Sequence, residues 1–109
     1  HFAAVLDRLG VRDTLAPRLR TFPNGATSMR ELAADDTPGA IGCTQITEIL
    51  YTPGIALAGA LPQAFELATV YSAALSVRAR QPGLAQHLVD LLAGDETRAM
   101  RAAGGFEFD

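Results

Sequence analysis

Residues 39–50 read GAIGCTQITEIL. The run 40–43 is small and apolar with no polar alternation, the pattern of a strand buried on both faces. Thr44 follows at a position suited to capping a helix, and Ile46, Ile49 and Leu50 recur at helical spacing. A strand running straight into a short helix is the unit of an α/β fold, and ligands bind outside the carboxyl end of such strands. Cys43, the only cysteine of the chain, lies at that junction.

Working upstream, Phe2, Val5, Leu6 and Leu9 share a helical face, and Gly10 follows where a glycine would end the helix. No N-cap precedes this pattern, so the sequence reads as starting inside a longer helix. A second short helix over 11–16 is expected to stop at Pro17. A brief strand over 19–22 then closes at the turn signal Pro23-Asn24-Gly25. Ser28-Met29-Arg30-Glu31 fits a capping box, with Met29, Leu32 and Ala33 facing inward.

Working downstream, Thr52-Pro53-Gly54 breaks the chain before a strand over 55–60. The longest strand expected covers 67–77. Pro82 suits the first turn of a helix whose apolar stripe is Leu84, Leu88, Leu91 and Leu92. Asp95 is expected to cap a last helix through Met100, ended by Gly104-Gly105. The alternation predicts an α/β class with a small, mostly parallel sheet and flanking helices. No later strand offers the last two helices a surface to cover. Their stripe is worth about 6–10 kcal/mol if fully buried. Missing residues of the same protein, or a second copy of the chain, would have to bury it.

Composition narrows the functional classes. At 109 residues the chain is sized for one domain. With 49% apolar and 19% charged residues it has a globular composition. A net charge of −3, without a basic stripe, argues against a nucleic-acid partner. No apolar run is long enough to span a bilayer, and the first residues lack the pattern of a signal peptide. Two histidines and one cysteine, far apart in sequence, match no metal-ligand spacing, and no cofactor is implied. A Cys43 nucleophile would need His87 or His1 as base, and neither has an orienting Asp or Asn at a recognisable spacing. The chain therefore reads as a non-enzyme, with Cys43 a small buried hydrophobe.

With these segments placed, the sequence resembles the C-terminal half of a periplasmic solute-binding protein of the molybdate-binding type, from ABC importers. The likeness rests on the order of LDRLGVRDTLAPRLRTF, SMRELAADDTPGAIGCTQITEI, LATVYSAALSV and LVDLLAGDETRAMRAAGGFEF. It implies a fragment of a two-lobed, type II periplasmic-binding fold. Residues 1–69 would be an incomplete second lobe, 70–78 the return crossover at the hinge, and 79–109 helices of the missing first lobe. It further implies a periplasmic or lipid-anchored parent, an oxyanion ligand such as molybdate or tungstate, and a membrane permease as partner. A homo-oligomer through the orphaned helices is the other way to cover their stripe.

An oxyanion is well held by neutral donors, and backbone amides at a helix start point toward negative charge. The segment 42–45 offers such a start. By resemblance, the second lobe of the family presents a backbone amide here, making Cys43, Thr44 and Gln45 candidate ligand residues. Tyr71 matches a tyrosine whose hydroxyl donates to the oxyanion. The sequence departs from the molybdate pattern where Ser72 replaces a proline after that tyrosine, and where CTQITEI replaces a small-aromatic and Ser-Asp run. The ligand thus stays open among molybdate, tungstate, another tetrahedral oxyanion and a small organic acid. The alternative class is the effector-binding domain of a LysR-type transcription regulator, which shares the two-lobed architecture.

Overall fold

The computed structural model describes residues 1–108. Its elements run α1 (Phe2–Arg8), α2 (Arg12–Leu15), α3 (Gly25–Ala33), α4 (Ile46–Tyr51), α5 (Pro82–Ala93) and α6 (Arg98–Ala103). Three 3-10 turns, Ala16–Arg18, Gln63–Phe65 and Asp95–Thr97, complete the regular structure. Among the described residues there is no strand. The chain forms two compact units, His1–Leu67 and a second beginning at Ala68.

The absence of strands overturns the α/β class and the mostly parallel sheet expected from the sequence. All four expected strands, 19–22, 40–43, 55–60 and 67–77, lie outside helices and pair with nothing in a ladder. The physical reason is that an apolar extended run becomes a strand only when neighbouring backbone accepts its hydrogen bonds. These runs meet no such neighbour. Ile41, in the run expected to be buried on both faces, is 88% exposed, and Val70, in the longest expected strand, is 86% exposed.

In the first unit, α1 buries Val5 and Leu6 and ends at Gly10, whose φ of +68° requires a residue without a Cβ. The turn Gln63–Phe65 is fastened to α1 from both ends. The His1 Nε2–H donates to the Phe65 carbonyl at 2.7 Å, and Arg8 Nη1 donates to the Ala64 carbonyl at 2.8 Å. The Arg8 guanidinium also lies 4.5 Å from the Phe65 ring centroid. Pro17 does not stop the second helix. It sits in the opening turn of Ala16–Arg18, where its missing N–H costs nothing, and so tightens the chain into 3-10 form.

The start of α3 differs from the capping box read at Ser28. Asn24 is the N-cap: its backbone is extended (φ −156°, ψ 165°) and its Oδ1 accepts from the Thr27 amide at 2.8 Å. Ser28 lies inside the first helical turns, its amide donating to the Asn24 carbonyl at 3.1 Å. Asn-Gly, read as a turn, instead serves as cap and first residue. Met29 faces inward as expected and is 1% exposed, the most enclosed side chain described.

In the second unit, α5 begins with Pro82 in its first turn as expected. Asp95 does not cap the last helix but opens the turn Asp95–Thr97, after which Thr97 precedes α6. Arg101 reaches back to the end of α5, donating to the Ala93 carbonyl at 3.0 Å and the Gly94 carbonyl at 2.6 Å. These are the carbonyls a helix leaves without partners.

Replacing the true cap should be felt and replacing the apparent one should not. Asn24→Ala is expected to destabilise the first unit by about 1 kcal/mol in a urea melt. Ser28→Ala should stay within about 0.5 kcal/mol. The reverse order would return the helix start to Ser28.

Candidate functional site

The segment 42–45 is positioned by a clamp between α3 and α4. Met29, on α3, fills the space beside Gly42 so closely that a Cβ there would meet the methionine methyl and the Leu32 side chain. At the other end, the Thr44 hydroxyl donates to the Glu48 carboxylate. Both groups lie against Gly25, the first residue of α3, where any Cβ would collide with them. A carboxylate at the start of a helix is favourably placed in the helix dipole. Thr52, 8% exposed, adds a bond from its hydroxyl to the Glu48 carbonyl at 2.8 Å. Glu48 is thereby held through its side chain and its backbone.

This clamp changes the part played by Thr44. Read as the cap of the following helix, Thr44 instead commits its hydroxyl to Glu48, and Gln45 occupies the N-cap position with φ −64° and ψ 141°. The Gln45 carbonyl accepts from the amides of Glu48 (3.0 Å) and Ile49 (3.2 Å). A hydroxyl bound to a carboxylate is stronger than one bound to a neutral amide, which accounts for the choice. Gln45 is exposed, while Cys43 and Thr44 are half-buried. Burial pushes the Cys43 thiol above its ordinary value of 9.0. A thiol so disposed is a poor nucleophile near neutral pH.

Cys43, Thr44 and Gln45 form one continuous stretch of the first unit. Tyr71 belongs to the second unit, where its ring stands edge-on to Phe106 at 5.8 Å between centroids and 70° between planes. That pairing is a common one for aromatic rings and leaves Tyr71 64% exposed. His87 lies on α5 in the second unit, whereas Cys43 belongs to the first. Among the described residues, no group of three or more His, Cys, Asp or Glu could hold a metal ion.

Sequence reading missed an open groove of about 390 Å³ in the first unit. Met29, Leu32, Ile41, Ile49, Ile55 and Leu57 line it, with Asp35 and Thr37 as polar members. Two stretches read as strands, 40–43 and 55–60, supply its walls. The signal was present in their glycines, at Gly39, Gly42, Gly54 and Gly59, which suit open loops better than a sheet interior. Asp35 accepts from the Thr37 amide at 2.8 Å and from Arg20 Nη1 at 3.2 Å. The bonds to Thr37, with Arg20 beside it, hold this carboxyl below its ordinary value of 3.8. The groove reaches Gly42 but is not lined by residues 43–45.

Comparison with known families gives a match over residues 1–107 to the model of the bacterial extracellular solute-binding proteins. No curated protein and no solved structure matches the chain significantly. No helix among the described residues is long and apolar enough to cross a membrane.

Two ionisations should report on this arrangement. Cys43 should react with iodoacetamide at pH 8 more slowly in the folded chain than in urea, and equal rates would show an accessible thiol of ordinary acidity. Its folded value lies above the unfolded one, so its contribution to stability is full below pH 9.0 and is lost as pH rises through the raised value. Asp35 has the opposite sign. Its contribution is full above pH 3.8 and is lost as pH falls through the depressed value. In acid titrations followed by circular dichroism, Asp35→Asn should flatten that limb. An unchanged acid limb would remove Asp35 from the account.

Proposed function

The chain belongs to the bacterial extracellular solute-binding proteins, and from that premise we propose that it is a substrate-binding component of an ABC importer whose segment 43–45 presents backbone amides to an oxyanion. The family is one of binding proteins serving transport, which favours transport over the regulatory class. Its extracellular description agrees with a site of action outside the cytoplasm, and we propose a periplasmic or lipid-anchored parent that docks on a membrane permease.

The observation that carries the reading is the Thr44–Glu48–Gly25 clamp. It holds the segment against α3 and commits the Thr44 hydroxyl to Glu48, which supports a reading in which the backbone, not that side chain, meets the ligand. Fixed neutral donors suit a tetrahedral anion because they stabilise charge without having to reorganise. The affinity they supply is small: each backbone amide contributes about 1–1.5 kcal/mol, so a site made of a few of them has a Kd of about a millimolar or weaker. Molybdate and tungstate are the ligands suggested by the resemblance, which also assigns a donor hydroxyl to Tyr71.

A second reading is favoured by the 390 Å³ groove. Its mixture of aliphatic side chains with loop backbone, Thr37 and the Asp35 carboxylate suits an organic solute with both polar and apolar parts, and disfavours a dianion.

Titrating the isotope-labelled chain with molybdate, tungstate and sulfate, followed by amide shifts, separates the two readings. The oxyanion reading expects saturable shifts at residues 43–46 with a Kd of about a millimolar, weakened by Gly25→Ala. Tyr71→Phe should weaken any contribution of its hydroxyl by about 3- to 10-fold. Shifts confined to residues 29, 32, 41 and 55–57 with small organic solutes, and none with oxyanions, would move the site to the groove. Micromolar or tighter oxyanion binding would contradict a site built from three amides.

A further inference from the structure

Helix α5 carries an apolar arc only half of which is covered. Ala85 and Val89, on one edge, are half-buried, whereas Leu84, Leu88, Leu91 and Leu92 are 65%, 56%, 38% and 58% exposed. These leucines recur at i, i+4, i+7 and i+8, one continuous stripe along a helix of 12 residues. Met100, on α6, is exposed as well, at 69%.

The charges at the two ends of the stripe are opposite. Arg78 and Arg80 precede α5, and Asp95 and Glu96 follow it. Among the described residues none of these four side chains has an ion-pair partner, since the three ion pairs present join Arg12 to Asp7 and Arg20 to Glu31 and Asp35. Arg98 and Arg101, the other cations near the acidic end, are stacked on Phe108 at 4.5 and 4.7 Å. Arg101 satisfies the last carbonyls of α5, but the charged side chains flanking the helix stay unpaired, basic before it and acidic after it. A second α5 laid antiparallel would set basic end against acidic end and oppose the two helix dipoles.

We propose that the α5 stripe is a self-association surface, and that its partner is the same stripe of a second copy of this chain, packed antiparallel about a two-fold axis. One stripe with opposite charges at its ends is complementary to itself under that symmetry. The surface does not depend on the ligand reading given above.

The test uses the 109-residue chain in sedimentation and light-scattering runs over a concentration series. A dimer is expected. Leu88→Glu should give a monomer with unchanged helical circular dichroism. Arg80→Glu and Asp95→Arg, each altering two symmetry-related contacts, should each weaken dimerisation by about 10-fold or more. Together they should restore it. High salt should weaken the wild type but not convert it to higher species. A wild-type monomer at high concentration overturns the proposal. So does a dimer indifferent to Leu88→Glu, or one that the double reversal fails to restore. A monomer whose α5 amides exchange slowly would show the chain's own first unit covering the stripe, which also overturns it.

Discussion

Glu48 answers three demands at once, and the first unit depends on it. Its carboxylate takes the Thr44 hydroxyl and lies at the start of α3, and its carbonyl takes the hydroxyl of the buried Thr52. With six residues, α4 is too short to be stable alone. Its order comes from being tied to the start of α3 by Glu48 and closed at its end by Thr52. Everything proposed for segment 43–45 follows from that attachment, because a ligand-facing backbone is useful only if it is held still.

The parts of the fold that could be read from the sequence were those set by local chemistry. The buried Val5 and Leu6 of α1 (though not Leu9, 52% exposed), the glycine that ends it, Pro82 at the head of α5 and the inward Met29 each follow from residues within a turn or two. Strands failed for the converse reason. The run 40–43 carries the right composition, but strand formation is a property of two segments, and composition reports only one. Asn24 shows a finer version of the same limit. Asn-Gly serves equally as a turn or as a cap with the first helical residue, and the choice fell to the cap once Thr27 could reach its side chain.

The candidate site was legible in its position and not in its workings. The segment around Cys43 does run into a helix. Nothing in the spacing of residues shows that Thr44 would look to Glu48 four residues on, or that Gly25, nineteen residues before it, would have to lack a side chain for this to happen. Such coupling belongs to tertiary packing, and spacing along the chain does not display it. The groove went unread because its walls were assigned to a sheet interior.

The extended run 67–77, LATVYSAALSV, has a consequence for handling the protein. It contains no charge, no proline and no glycine, is rich in residues that favour strands, and joins no ladder among the described residues. A run of that composition, with Val70 and Val77 almost fully exposed, is the part of the chain where added apolar surface would cost solubility most readily and an added charge would cost the fold least.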